Sequence, residues 1–434
     1  MAIWNSEYEC MDREALRDLQ LRKLRATVAW VHERVPHYRS ALDDAGIKPK
    51  DVRSLEDVRL LPFTDKQTMR DTYPFGLFAV PLDEVVRIHS SSGTTGKPIV
   101  VGYTRGDIAT WTELTARVCT AAGVGHKDLA QMAFGYGMFT GGFGMHYGLE
   151  RVGASVIPAS AGNTERHLMM MQDFGTTVLV STPSYALYIA EVGEAMGIDF
   201  ESLPLRVGLF GAEPCTEAAA REISEKLHIR ATDNYGLSEV MGPGVSGECE
   251  CNCGLHVNED HFLFEIVDPA TGEVLPEGSQ GELVITPLSK EAFPVLRYRT
   301  HDITRLHYEP CECGRTLARM EKVRARTDDM LIIRGVNVFP SQIEDVLFQI
   351  EGIRPHYLIV VGRKHGLDDI EVRIEVAEEV FSDIMADMVA FTRHVGERLQ
   401  TVLGLNVKVT LVEPGTIERT AGKAKKVLDQ REGC

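Results

Sequence analysis

The chain has 434 residues, 44% hydrophobic and 25% charged, which suits a globular protein of two or three domains with a sizeable core. Acidic residues outnumber basic ones 63 to 46, and the net charge of −17 argues against a nucleic-acid partner, whose phosphates need a basic face. An anionic small molecule stays open, because a local basic pocket can overrule the global sign.

The first ten residues, Met1 to Cys10, have no basic start and no apolar stretch, so no signal peptide is expected. No apolar run is long enough for a membrane span, and the expected location is the cytoplasm. Residues from about 10 to 47 read as helix, with Leu16, Leu19, Leu21, Leu24, Val28 and Val31 at three- and four-residue steps. A short helix at 65–75 follows, then an apolar run, Val85-Val86-Arg87-Ile88, that delivers Ser90-Ser91-Ser92-Gly93-Thr94-Thr95-Gly96-Lys97-Pro98. Its hydroxyls, glycines and lysine can wrap a polyanion, although the spacing fails the common phosphate-loop template and Pro98 replaces the metal-binding hydroxyl. A hydroxyl-rich surface loop is the other reading.

From 125 to 240 the pattern alternates between β-type runs (Ser155–Pro158, Thr176–Ser181, Leu205–Phe210, Ile229–Asn234) and helical ones (164–174, 184–197, 216–227). Such alternation predicts βαβ units on a parallel sheet, with ligands beyond the carboxyl ends of its strands. Short runs such as Phe262–Val267 and Glu282–Thr286 then predict antiparallel structure. A boundary falls at about residue 328. Beyond it, Ser341-Gln342-Ile343-Glu344 reads as a capping box opening a helix, and runs at Tyr357–Val361, Ile370–Val376 and Val407–Val412 with a helical 380–403 make a small α+β unit.

Nine cysteines are placed unevenly: Cys10, Cys119, Cys215 and Cys434 stand alone, and five form Cys249-x-Cys251-x-Cys253 and Cys311-x-Cys313. With His256, the clusters offer more ligands than a tetrahedral zinc needs, so a structural Zn²⁺ held by Cys249, His256, Cys311 and Cys313 is expected, with Cys251 and Cys253 as alternatives. Free cysteines in turns and an iron–sulfur cluster are the competing readings. The segment Phe134-Gly135-Tyr136-Gly137-Met138-Phe139-Thr140-Gly141-Gly142-Phe143 concentrates rings and glycines; it suits a flat apolar ligand approached closely by backbone.

In order along the chain, Ser90–Pro98, Gly211-Ala212-Glu213-Pro214, Tyr235-Gly236-Leu237-Ser238-Glu239, Tyr298-Arg299-Thr300-x-Asp302, Arg326-x-Asp328-Asp329 and Gly422-Lys423 resemble the motifs of the adenylate-forming superfamily of acyl-CoA synthetases, luciferases and peptide-synthetase adenylation domains. Ile333-Arg334-Gly335-Val336-Asn337-Val338-Phe339-Pro340 and Asn258-Glu259-Asp260-His261-Phe262 are similar to the phenylacetate–CoA ligase branch. One departure is Ala325 at the hinge, where many members have glycine. The resemblance implies an α/β fold: a large N-terminal domain (1–327) with parallel and mixed sheets, βαβ units and a β-rich subdomain, and a small mobile α+β C-terminal domain (328–434).

It also implies two half-reactions, with ATP, Mg²⁺, coenzyme A and a small carboxylic acid as reactants and cofactors. Ser91, Ser92, Gly93, Thr94, Thr95, Gly96 and Lys97 would hold the β- and γ-phosphates, and Glu239 the Mg²⁺. Gly211, Ala212, Glu213, Pro214, Asn234, Gly236 and Ser238 would surround the nucleotide, Tyr235 stacking on adenine. Asp302 would bind the ribose hydroxyls with Arg326 in support. Lys423 would reach the acyl carboxylate and α-phosphate and then swing away. Tyr136, Phe139, Phe143 and Gly211 would line the acyl site, taking phenylacetate or a related aryl acid, and Gly362-Arg363-Lys364-His365 would meet coenzyme A phosphates. A deazaflavin-type adenylyltransferase and a stand-alone carrier-protein-charging enzyme are the alternatives. A homodimer is an accompanying expectation.

Overall fold

The computed structural model describes residues 1–90, 98–323, 325–334, 336–364, 367–376, 385–419 and 426–431. Ser91, Ser92, Gly93, Thr94, Thr95, Gly96, Lys97, His365, Lys423 and Cys434 lie outside the described residues.

The amino-terminal helical reading resolves into two helices, Arg13–Arg34 and Pro36–Asp44. They part at Val35 because Pro36 has no N–H to continue the first and instead opens the second at its first position. Asp12 caps the first helix by accepting from Glu14 N and Ala15 N.

A twelve-stranded sheet carries the site. Its parallel part runs, in spatial order, Ser155–Ile157, Leu129–Met132, Val178–Ser181, Val207–Gly211 and Arg230–Leu237. Helices Thr164–Phe174, Pro183–Ala195 and Glu217–Leu227 alternate with these strands. Val178–Ser181 and Val207–Gly211 are buried at every position, as strands covered on both faces must be. Arg230–Leu237 then pairs antiparallel with Gly242–Glu248, and the remaining strands, including Phe262–Val267, Gln280–Pro287 and Tyr298–His307, are antiparallel.

Two helices, Arg105–Ala121 and Thr140–Arg151, carry no clear amphipathic signal in the sequence. Residues 114 to 121 are buried without a break, so the first lacks the polar face that would reveal its period. The second takes up Gly141, Gly142 and Gly144. A Cβ on Gly142 would lie 2.8 Å from Gly135 O, and one on Gly144 would lie 2.5 Å from Trp111 and Pro243. Glycines expected to let backbone approach a ligand are here partly required by helix packing.

Past residue 330 the chain builds separate sheets: a hairpin of Leu331–Ile333 and Val336–Val338, and four strands in the order Lys408–Val412, Leu367–Val376, Ile353–Lys364, Val427–Asp429. Helices Pro340–Leu347 and Met385–Leu403 close a distinct core that includes Ile343, Leu347, Ile359, Val372, Val395 and Leu399. This is the expected α+β unit. The capping box is shifted, however. Phe339 is the N-cap, Gln342 Oε1 accepts from Phe339 N at 3.0 Å, and Pro340 takes the first helical position, where proline fits. Glu344 is freed from capping; it is buried and accepts from Tyr357 Oη at 2.8 Å and Lys426 Nζ at 2.8 Å. Among the described residues no helix is long and apolar enough to cross a membrane.

Candidate active site

Residues 234–239 lie where the sheet turns from parallel to antiparallel, a change of topology of the kind beside which ligands gather in α/β sheets. Gly211 and Asn234 are register partners on adjacent parallel strands. Asn234 Nδ2 donates to Phe210 O at 3.1 Å, and Asn234 Oδ1 is buried with no partner among the described residues. A Cβ on Gly236 would lie 1.9 Å from Gly242 O, so only glycine lets the chain fold back here. Ala212 holds φ 70°, a left-handed conformation that costs a non-glycine residue on the order of 1 kcal/mol or more. Glu213 is partly committed to structure: its Oε1 accepts from Ser184 N at 2.7 Å at the start of helix Pro183–Ala195. Ser238 Oγ lies 3.0 Å from Thr140 Oγ1, which ties the motif to helix Thr140–Arg151.

Strand Tyr298–His307 alternates strictly in burial, and the alternation puts Asp302 on the inward face with Tyr298, Thr300 and Thr304. Tyr235 Oη donates to Asp302 Oδ2 at 2.6 Å, and Arg326 Nη1 donates to Asp302 Oδ1. Burial pushes the Asp302 carboxyl above its ordinary range, against the pull of Arg326 and Tyr235. Each oxygen keeps a second lone pair for a further donor. Arg326 also donates to Asp328 through Nε at 2.9 Å and Nη2 at 3.0 Å, and Lys66 Nζ reaches Asp328 Oδ2 at 3.1 Å. Ala325 and Arg326 lie extended, paired with Ile303 and Asp302, so alanine in place of glycine asks nothing unusual of the backbone. A cleft of about 470 Å³ opens beside Arg326, lined also by Glu213, Asp328, Tyr357 and Lys426. A larger groove of about 1920 Å³, between helices Glu217–Leu227 and Pro340–Leu347, reaches none of Tyr136, Glu239 or Asp302.

Glu239 is buried, and no described residue hydrogen-bonds or ion-pairs its carboxylate. Burial, reinforced by the charge of Glu239, pushes the Tyr103 and Tyr298 phenols well above their ordinary range. A carboxylate left without a protein donor has the chemistry to hold a hard divalent cation.

The ring cluster assembles beside the strand that leads into the hydroxyl-rich residues. Ser90 N donates to Met138 O at 2.9 Å, and His89 Nδ1 lies 3.0 Å from the same oxygen. Tyr136 and Phe143 meet edge-to-face at 5.3 Å, and Phe143 stacks on Tyr147 at 6.2 Å. Arg87 lies over both Phe143 and Tyr147 and donates to Tyr147 Oη at 3.0 Å. Tyr136 Oη is 2.8 Å from His146 Nδ1. Phe139 is 55% exposed and stands apart from these ring pairs at the N-cap of its helix. Arg87, Lys66 and the neighbouring pair His146 and Tyr147 come from three elements, and no local pattern marks them.

The cysteine clusters converge because strand Leu255–Val257 pairs with Arg319–Met320, in register His256 with Arg319. Ligand atoms of Cys249, His256, Cys311 and Cys313 lie within 4.8 Å of one another, all buried. Cys249 Sγ to Cys311 Sγ is 3.8 Å, and Cys313 Sγ to His256 Nε2 is 3.4 Å. A tetrahedron with Zn–S arms near 2.3 Å has an edge of about 3.8 Å, so the set fits. Cys253 lies 3.2 Å from Cys311 but is exposed, and Cys251 contacts Met1. Arg363 pairs with Asp368 at 3.0 Å.

The mixed α/β sheet with a separate C-terminal α+β domain is the fold of an adenylate-forming enzyme. The AMP-binding enzyme family matches residues 78–287, and the AMP-binding enzyme C-terminal domain matches residues 335–431. Phenylacetate-coenzyme A ligase of Thermus thermophilus is 49% identical over 99% of this chain and 100% of its own length. That of Escherichia coli K12 is 48% identical over 96% of this chain and 95% of its own. The crystal structure of 2-hydroxyisobutyryl-CoA ligase in the postadenylation state superposes with a TM-score of 0.93 at 29% identity, over 99% of this chain and 93% of that one. The same ligase in its thioesterification state gives a TM-score of 0.73. The chain belongs to the AMP-binding enzyme family. Its activity is ATP-dependent acid–CoA ligation with release of AMP, which sets aside the adenylyltransferase and carrier-protein readings.

Proposed function

We propose that this ligase acts on phenylacetate or a closely related aryl acid and transfers it to coenzyme A. The observation that carries the acid is near-half identity, over almost the whole chain, to relatives named phenylacetate-coenzyme A ligase. The rings of Tyr136, Phe143 and Tyr147 support it, since they offer edge and face contacts to a flat apolar ligand. In the first step the acid's carboxylate oxygen bonds to the α-phosphorus of ATP and the bond to pyrophosphate breaks. In the second the thiol sulfur bonds to the acyl carbon, the bond to AMP breaks, and the thiol proton leaves to solvent.

The residues divide this work by position and charge rather than by covalent chemistry. Asp302 accepts from the ribose, with Arg326 and Tyr235 fixing its orientation. Asn234, whose Oδ1 has no partner among the described residues, faces the nucleotide with Gly211 and Ala212. Glu239 holds Mg²⁺, which when bound neutralises charge on the phosphates. Ser91 to Lys97 clamp the leaving pyrophosphate, and Lys423 serves the adenylation step alone. The domains divide near residue 328, and the second turns between the two steps. Cys249, His256, Cys311 and Cys313 hold a structural Zn²⁺. The enzyme works in the cytoplasm, where ATP and coenzyme A are supplied, as a homodimer.

The test is acid-dependent exchange of pyrophosphate into ATP across a panel of aromatic and aliphatic acids. Phenylacetate or a near analogue should give the highest exchange rate. A preference for short aliphatic acids would overturn the assignment of the acid while leaving the reaction class untouched.

A further inference from the structure

The helix Pro183–Ala195 of the N-terminal domain presents one carboxylate, Glu191, to two arginines and a histidine from beyond residue 330. Arg354 Nη1 donates to Glu191 Oε1 at 3.0 Å, and His356 Nε2 lies 2.9 Å from Oε2. Arg419 Nη2 reaches both oxygens at 3.3 Å. Burial alone would push the Glu191 carboxyl up, but His356 and Arg419 against it outweigh burial and hold it down at about 2.

The three partners are themselves placed. Arg354 and His356 sit where strand Ile353–Lys364 shifts register between Ile353 and Tyr357, and alternate positions on a strand share a face. Arg419 is held from behind by Glu375, which is fully buried and accepts from Arg419 Nη1 at 2.8 Å and Nη2 at 2.7 Å. Glu375 also accepts from Gly415 N at 3.2 Å and Ile417 N at 2.7 Å, so one acid organises the segment that ends four residues before Lys423. A continuous polar path therefore runs from Glu191 through Arg419 and Glu375 into the backbone leading to Lys423.

We propose that Glu191 is the positioning residue that latches the C-terminal domain in the adenylation arrangement, and that this latch opens for thioester formation. The domain arrangement here matches the postadenylation state of the related ligase and departs from its thioesterification state. A turn of the C-terminal domain carries Arg354, His356 and Arg419 away together, since all three belong to that domain. Three partly buried charge-assisted contacts on one carboxylate are strong enough to bias a two-state equilibrium, and they bias only the state in which they form. The proposal rests on the two-step reading above, with Lys423 serving adenylation.

The test separates the half-reactions. Glu191→Gln keeps the shape of the side chain and removes its charge. Pyrophosphate exchange should fall about tenfold, through a smaller adenylation-competent population, while thioester formation from supplied phenylacetyl-adenylate and coenzyme A stays level or rises. Glu191→Asp should recover part of the exchange rate. A fall of both half-reactions alike, or no change in either, would overturn the latch; unchanged thermal melting of Glu191→Gln confirms that the fold is intact. Lys423→Ala, run alongside, reads the alternation itself. It should abolish exchange and spare thioester formation, and if it abolished both, the two-step reading and the latch would fall together.

Discussion

At the scale of single residues, Lys290 is a costly side chain to bury. Its ammonium is fully buried over the Tyr103 ring, 3.2 Å from the centroid, and Asp107 at 3.8 Å is too far for a hydrogen bond. Burial outweighs the attraction of Asp107 and lowers its pKa from 10.5 to about 7. The unfolded chain then binds more protons than the folded one between pH 7 and 10.5, so this residue's contribution to stability rises with pH across that window. Thermal melting of the native chain and Lys290→Met, followed from pH 7 to pH 10, should show the native chain gaining on the variant by about 2 kcal/mol or more. A constant difference would mean that Lys290 keeps its proton. Asp107 keeps its backbone donors Thr104 N, Glu291 N and Ala292 N in the variant, so the comparison isolates the ammonium. Asp302 and Glu239 are buried acids of another kind: Asp302 accepts from Tyr235 and Arg326, and Glu239 has no hydrogen-bond or ion-pair partner among the described residues. Both were legible because each closes a short motif whose residue types the chemistry demands. Lys66, Arg87, Tyr147 and Glu191 were not, since each acts on a partner brought near only by tertiary folding.

At the scale of elements, the βαβ alternation and the antiparallel stretch after Glu239 could be read from period and turn residues, and Phe262–Val267 falls where its apolar run stands. Helices Arg105–Ala121 and Thr140–Arg151 escaped for two reasons. Buried helices lose the amphipathic signal, and the glycines of Thr140–Arg151 suggest a loop until Trp111 is placed against Gly144. The shift from Ser341 to Phe339 as cap followed from Pro340, whose preference for the first helical position outranks a local box pattern. The cysteine loops show what pairing adds: residues some 60 apart in sequence meet because Leu255–Val257 and Arg319–Met320 are neighbours. Protein purified without added metal should carry about one zinc per chain, and Cys313→Ser should lose the metal and melt at lower temperature. A metal content near zero would leave the four side chains as a buried thiol cluster. The loop is also anchored by Arg315, whose Nε donates to Glu9 Oε2 at 2.6 Å, so loss of the metal should loosen the amino-terminal segment first.

At the scale of the whole molecule, a chain of net charge −17 can take polyanionic reactants only where cations gather locally against its overall sign. Arg326 and Lys66 stand near the proposed domain boundary, and Lys97 and Lys423 are the cations proposed above to meet phosphate. The two domains have separate cores, so the turn proposed above would unfold neither. In that proposal the carboxylate contacts at Glu191 and the Arg326–Asp328–Lys66 set are the parts that would distinguish one arrangement from the next. The most direct test of this account is product analysis with ATP, Mg²⁺, phenylacetate and coenzyme A. The account predicts phenylacetyl-CoA, AMP and pyrophosphate in equal amounts, with AMP formation dependent on the acid. Release of ADP and phosphate, or AMP formation that proceeds equally without the acid, would contradict it.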